Sequence, residues 1–162
     1  MRAIHVRCGR SLLLNIQPMK TNTINPENTN RSDIKSVVLN HLELSTQDFS
    51  SWLDLLHDDI VIEFPYGESA GNPPRLKGKA VIAETITAFF NRVPEIRFNN
   101  PTVYLCVDPD EAFATYEVEV KVPDNGRTYK QKYIGHFRQS EGKLVYLSEY
   151  YDPTKTIAAF GP

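Results

Sequence analysis

The chain has 162 residues, a formal net charge of −2 from 18 basic and 20 acidic side chains, and 41% hydrophobic residues. That length fits one domain, and the near-neutral balance offers no basic field to hold a polyanion, so nucleic acid is excluded as an expected partner. Two cysteines, Cys8 and Cys106, make no disulfide framework, and no apolar run approaches the roughly 18 residues of a membrane span, so a cytoplasmic protein with no membrane partner is expected.

Residues 1–31 differ in composition from the rest of the chain. Arg2, Arg7, Arg10 and Lys20 are basic, and the first acid is Glu27. Leu12-Leu13-Leu14 is too short for a secretory apolar region. A transit peptide shares this charge pattern, but the fragment shows little helical amphipathicity; a third option is a translation start at Met19. The simplest reading is a poorly structured extension or a misassigned start, with the domain occupying 32–162.

From Ser32 onward, Ile34, Val37, Val38, His41 and Leu42 fall at helical spacing. Phe49, Trp52, Leu53 and Leu56 mark a second helix, with Ser45 as its expected cap and His57-Asp58-Asp59 as its end. Ile60 to Phe64 reads as a short strand and Tyr66 to Lys77 as a loop. Ile82, Ile86, Phe89 and Val93 give a third helix from about Gly78 to Arg92, stopped before Pro94.

The period then changes to two. Arg97–Val107 is a strand. Ala112, Ala114, Tyr116, Val118 and Val120 alternate with more polar residues in the next, and Pro123-Asp124-Asn125-Gly126 is a turn. A hairpin closes the sheet, from Tyr129 through Ser140-Glu141-Gly142-Lys143 to Tyr151. Thr154–Pro162 is a tail that can lie across it. Helices first and antiparallel strands last predict an α+β cone, with three helices on a strongly curved, mostly antiparallel sheet. Three helices cannot cover such a sheet, so its uncovered middle becomes a pocket.

The hairpin carries the chemistry. Tyr129, Gln131 and Tyr133 share one face, as do Leu147, Glu149 and Tyr151. Glu149 is therefore a carboxylate in a largely apolar wall, where lost solvation raises its pKa and suits it to acid/base work. The alternative is an outer-face ion pair between Glu149 and Lys132 or Arg138. Tyr129 joins Glu149 as a catalytic candidate. Tyr133, Gln131, Trp52, Tyr66, Tyr116, Phe89, Thr85 and Tyr151 are candidate ligand contacts, with ordinary core packing or structural hydrogen bonds as the competing role. His41 is either a pocket base or a satisfied core histidine. No metal-ligand spacing and no Gly-rich phosphate loop is present, so neither metal nor cofactor is expected.

The words WLDLLHDDIVIEFPYG (52–67), LKGKAVIAETITAFF (76–90), YKQKYIGHFRQSEGKLV (129–145) and SEYYDP (148–153), in this order, resemble the nuclear transport factor 2-like superfamily. Within it they are most similar to the SnoaL-like, ketosteroid-isomerase-related branch. The end of the chain looks like the phenazine-biosynthesis A/B proteins: Tyr129 and Glu149 match a Tyr and the acid/base Glu of that family, and Asp152 takes the place of its Asn. The match departs at the third helix, where Thr85 and Phe89 stand in place of a His and a Ser. The resemblance implies a hydrophobic small-molecule ligand and a homodimer formed through the sheet. It also implies acid/base isomerisation, cyclisation or dehydration of a carbonyl-bearing compound, with a non-catalytic binding protein as the alternative.

Overall fold

The computed structural model describes residues 33–161, so the expectations placed on 1–31 lie outside the described residues. Helix α1 (Ile34–Gln47) begins at Asp33, whose carboxylate accepts from the Ser36 amide, and it buries the expected stripe. Helix α2 (Phe49–Leu55) is capped by Asp48, which accepts from the Ser51 amide at 3.1 Å. Ser45, the expected cap, is instead buried within α1. A carboxylate immediately before the helix is the better acceptor, and it ends one helix while starting the next.

Strand β1 (Leu56–Glu63) begins four residues earlier than expected and includes His57-Asp58-Asp59, so His57 does not terminate a helix. Leu56 and Ile60 are fully buried, and that pattern pulls the acidic segment into the sheet. The loop after Pro65 contains a 3₁₀ turn (Gly67–Ala70) and a short strand, β2 (Arg75–Lys77). Helix α3 (Lys79–Arg92) follows Gly78. The remaining strands are β3 (Asn99–Leu105), β4 (Glu111–Lys121), β5 (Thr128–Ser140) and β6 (Lys143–Tyr151). The tail forms a fourth helix, α4 (Pro153–Phe160), with Asp152 as N-cap and proline in the first turn. Four helices and six strands thus replace the expected three and five among the described residues.

The sheet runs β2-β1-β6-β5-β4-β3, antiparallel except where β1 lies parallel to β6. Breaks in register near Leu56–Val61, Asn99–Thr102 and Arg138–Gln139 bend it. The β5–β6 hairpin turns on Glu141 and Gly142, at φ 53° and 78°. Two successive positive-φ residues match the right-handed twist of the flanking strands. Along β4 and β5, burial alternates residue by residue, so one face of the curved sheet packs against the helices and the other is open.

Candidate functional site

Glu149 on β6 lies opposite Gly135 on β5. It therefore points to the same inner face as Tyr129 and Tyr133, and the outer-face ion pair does not form. The absence of a side chain at Gly135 makes the local arrangement possible. A Cβ there would collide with the Phe137 ring and stand 3.1 Å from the Tyr116 hydroxyl. That hydroxyl donates a short hydrogen bond to Glu149 Oε1. Tyr116 pairs directly with Tyr133 across the β4–β5 ladder, and their rings stack 5.2 Å apart at 14°. Tyr133 pairs in turn with Tyr151, and the hydroxyls of Tyr133 and Tyr129 are 2.6 Å apart.

These groups border a cavity of about 130 Å³. Helix α1 contributes His41 and Ser45, α2 Trp52, β1 Ile62, α3 Thr85, Ile86, Phe89 and Phe90, and α4 Thr156. Phe64, Asn72, Pro73 and Phe98 enter from loops, and Tyr129, Tyr133, Leu147, Glu149 and Tyr151 from the last two strands. The lining holds one acid and no Lys or Arg.

That composition sets the electrostatics. Burial raises the Glu149 carboxyl to about 7, against the opposing pull of the Tyr116 hydrogen bond. Glu149 keeps some exposed surface because it borders a cavity, yet the protein around it supplies little to solvate a charge. Burial pushes Tyr129 up to about 12 and holds Tyr116 and Tyr133 well above the ordinary phenol value, so all three are hydroxyl donors at neutral pH. His41 is lowered to about 4 by burial, and its Nδ1 accepts from Trp52 Nε1 at 3.0 Å. It is therefore neutral, with its proton on Nε2.

Seven of the ten residues singled out in the sequence meet at this cavity: Glu149, Tyr129, Tyr133, Trp52, Phe89, Thr85 and Tyr151. Tyr116 reaches it through its bond to Glu149. Gln131 is buried but faces elsewhere: its Nε2 donates to the Asp152 carbonyl at 2.7 Å and its Oε1 accepts from the Asp152 amide at 3.4 Å. Tyr66 is 55% exposed and lines a groove on the outer side of the sheet beside Tyr150. Asn72 and Thr156 escape sequence reasoning because they sit outside the periodic segments on which a face can be read; Phe98 lies just before β3, at the start of the expected strand, and is not among the residues singled out there. Asn72 donates to the Tyr151 hydroxyl at 3.0 Å across 79 positions of sequence, a pairing that no local pattern announces. Among the described residues no group of three or more His, Cys, Asp or Glu is placed to hold a metal ion, and no helix is long and apolar enough to cross a membrane.

A curved, mostly antiparallel sheet with helices over one face and a carboxyl inside an aromatic cavity defines an α+β cone of the nuclear transport factor 2-like type. The chain matches the SnoaL-like domain over residues 39–147 and belongs to that family. It is 32% identical over 115 residues to the uncharacterized Bacillus subtilis protein YesE, covering 71% of this chain and 78% of YesE. It is 29% identical over 131 residues to the uncharacterized PhzA/B-like protein PA3332 of Pseudomonas aeruginosa, covering 78% and 89%. Among solved structures, a Bacillus subtilis protein provisionally named an isomerase superposes with a TM-score of 0.72 at 28% identity, covering 79% of this chain and 92% of that one. A phenazine biosynthesis-related protein from Pseudomonas aeruginosa superposes at 0.67 with 19% identity, covering 77% and 82%, and so speaks for the fold alone.

Proposed function

We propose that the protein is a small-molecule enzyme working by proton transfer: isomerisation, cyclisation or dehydration of a hydrophobic, carbonyl-bearing compound, with Glu149 as the acid/base. The observation that carries this reading is the Glu149 carboxyl, fixed by Tyr116 inside an apolar cavity and titrating near neutral pH. Such a group can take a proton from carbon and return it at another position without a large mismatch to ambient pH. The Tyr129–Tyr133 hydroxyl pair is the natural donor to a carbonyl oxygen on which negative charge develops, with Tyr129 as the second catalytic residue. The wider reading includes a cytoplasmic homodimer formed through the outer face of the sheet.

The test needs no knowledge of the natural substrate. A panel of small cyclic ketones in D₂O reports proton abstraction as loss of the α-proton NMR signal. Wild-type protein is expected to accelerate exchange for at least one member, and Glu149→Gln to lose about 10²–10⁴ of that rate while keeping its fold. Tyr129→Phe should cost less, since it removes one net hydrogen bond of about 0.5–1.5 kcal/mol. Equal exchange by wild type and Glu149→Gln would end the acid/base assignment and leave a binding protein.

A further inference from the structure

His41 is the one imidazole in the cavity lining, and the proton-transfer reading leaves it without a role. Its side chain is 5% exposed and packs edge-on against Phe137, with ring centroids 5.6 Å apart. The same Phe137 ring fills the space over Gly135, opposite Glu149. Because Nδ1 accepts the Trp52 indole N–H, the imidazole of the neutral ring must present an N–H at Nε2. Among the described residues no protein acceptor meets that N–H, although the ring borders the cavity. A buried donor is stable only with a partner, and the cavity that the ring borders is where one can come from. Ser45, one turn further along α1, adds a hydroxyl to the same wall.

Two further observations restrict what the partner can be. With no Lys or Arg in the lining, and with Glu149 already there, a carboxylate or phosphate on the ligand would be buried without a counter-charge. The volume of about 130 Å³ is close to that of the roughly 150 Å³ apolar cavity that accepts benzene in an engineered protein.

We propose that the cavity takes a compact, uncharged, single-ring compound, one of whose oxygen atoms accepts the Nε2–H of His41. This rests on the reading of the cavity as a ligand site and fixes its substrate class. Trp52 is then a positioning residue, holding the tautomer that makes His41 a donor.

The experiment uses three probes of nearly equal shape: acetophenone, α-methylstyrene, in which a methylene replaces the carbonyl oxygen, and benzoate, in which a carboxylate replaces the acetyl group. Imidazole ¹⁵N spectra of the full-length wild-type protein should show His41 as the neutral Nε2–H tautomer throughout the neutral range. Acetophenone should shift its Nε2 resonance and bind about two- to tenfold tighter than α-methylstyrene, the range for one net hydrogen bond. Benzoate should neither shift the resonance nor displace acetophenone. In His41→Leu the preference for acetophenone over α-methylstyrene should fall to about one, and His41→Gln, which keeps a donor, should recover part of it. The wild-type spectra decide the matter even if His41→Leu fails to fold, since that variant strips the Trp52 N–H of its acceptor. An Nδ1–H tautomer, an Nε2 signal unmoved by millimolar acetophenone, or benzoate binding as well as acetophenone would each overturn the proposal. The acid/base reading fails separately: Glu149→Gln should retain the His41 shift with acetophenone whether or not exchange activity is present.

Discussion

At the scale of single residues, Glu149 couples the candidate site to the stability of the whole fold. Its carboxyl titrates at about 7 in the folded protein, because burial disfavours the charge, against an ordinary value of 4.5. Below 4.5 both folded and unfolded chains hold the proton, and the group contributes no pH dependence. Between 4.5 and 7 the unfolded chain releases it while the folded chain keeps it, so stability falls as pH rises through that window. Above 7 both forms are ionised and the loss is complete. The rise from 4.5 to about 7 corresponds to roughly 3 kcal/mol, at 1.36 kcal/mol for each tenfold change in proton affinity. Glu149→Gln removes the titration. Thermal melts of the two proteins should therefore converge toward pH 4.5 and separate toward pH 7, with the variant the more stable near neutrality. A variant melting lower than wild type at pH 7 would mean that the carboxylate is solvated or paired in the folded state.

At the scale of elements, the strands are legible in the sequence and their partners across the cavity are not. Tyr129, Gln131, Tyr133 and Glu149 can be assigned to one face because a strand has a strict period of two, and β5 and β6 keep it. Sharing a face does not assign a role, as Gln131 shows: it is inward and buried, yet its amide is spent on the backbone of Asp152, where β6 gives way to α4. Helix α4 reads as a tail in the sequence because eight residues offer little periodic signal. What fixes it is tertiary: Asn125 in the β4–β5 turn donates to the Ala159 carbonyl at 2.9 Å, and Phe160 packs 4.9 Å from Tyr129. The bond from Trp52 to His41 likewise joins two helices across a chain reversal that spacing alone does not describe. The Gln131 clamp is testable. Gln131→Met keeps the volume and removes the amide, leaving backbone groups of Asp152 without their partner, so it should lower stability by about 1–3 kcal/mol in a denaturant melt. The Glu149 titration and probe binding in the cavity should be unchanged. Weakened binding at unchanged stability would instead make Gln131 a ligand contact.

At the scale of the molecule, the two faces of the sheet do different things. The inner face is covered by helices and encloses the cavity, whereas the outer face carries Phe113, 40% exposed, and Ile134, 50% exposed, on neighbouring strands. Thr115 pairs with Ile134 in the same ladder, and the face also holds Tyr150, in register with Ile134. These apolar side chains lie on adjacent strands between the charged pairs Glu117–Lys132 and Glu111–Arg138, a mixed surface whose apolar part gains from being removed from water. A second copy of the chain meeting it about a two-fold axis would cover both surfaces with one set of contacts. The expected outcome is a symmetric homodimer by sedimentation at micromolar concentration. Ile134→Lys places a charge at the centre of that surface without touching the inner face, because residue 134 alternates with the buried Tyr133. It should shift the protein to monomer while leaving the Glu149 titration and ligand binding in place. A wild-type monomer at those concentrations, or an Ile134→Lys variant that remains dimeric, would remove the outer face of the sheet from consideration as the interface.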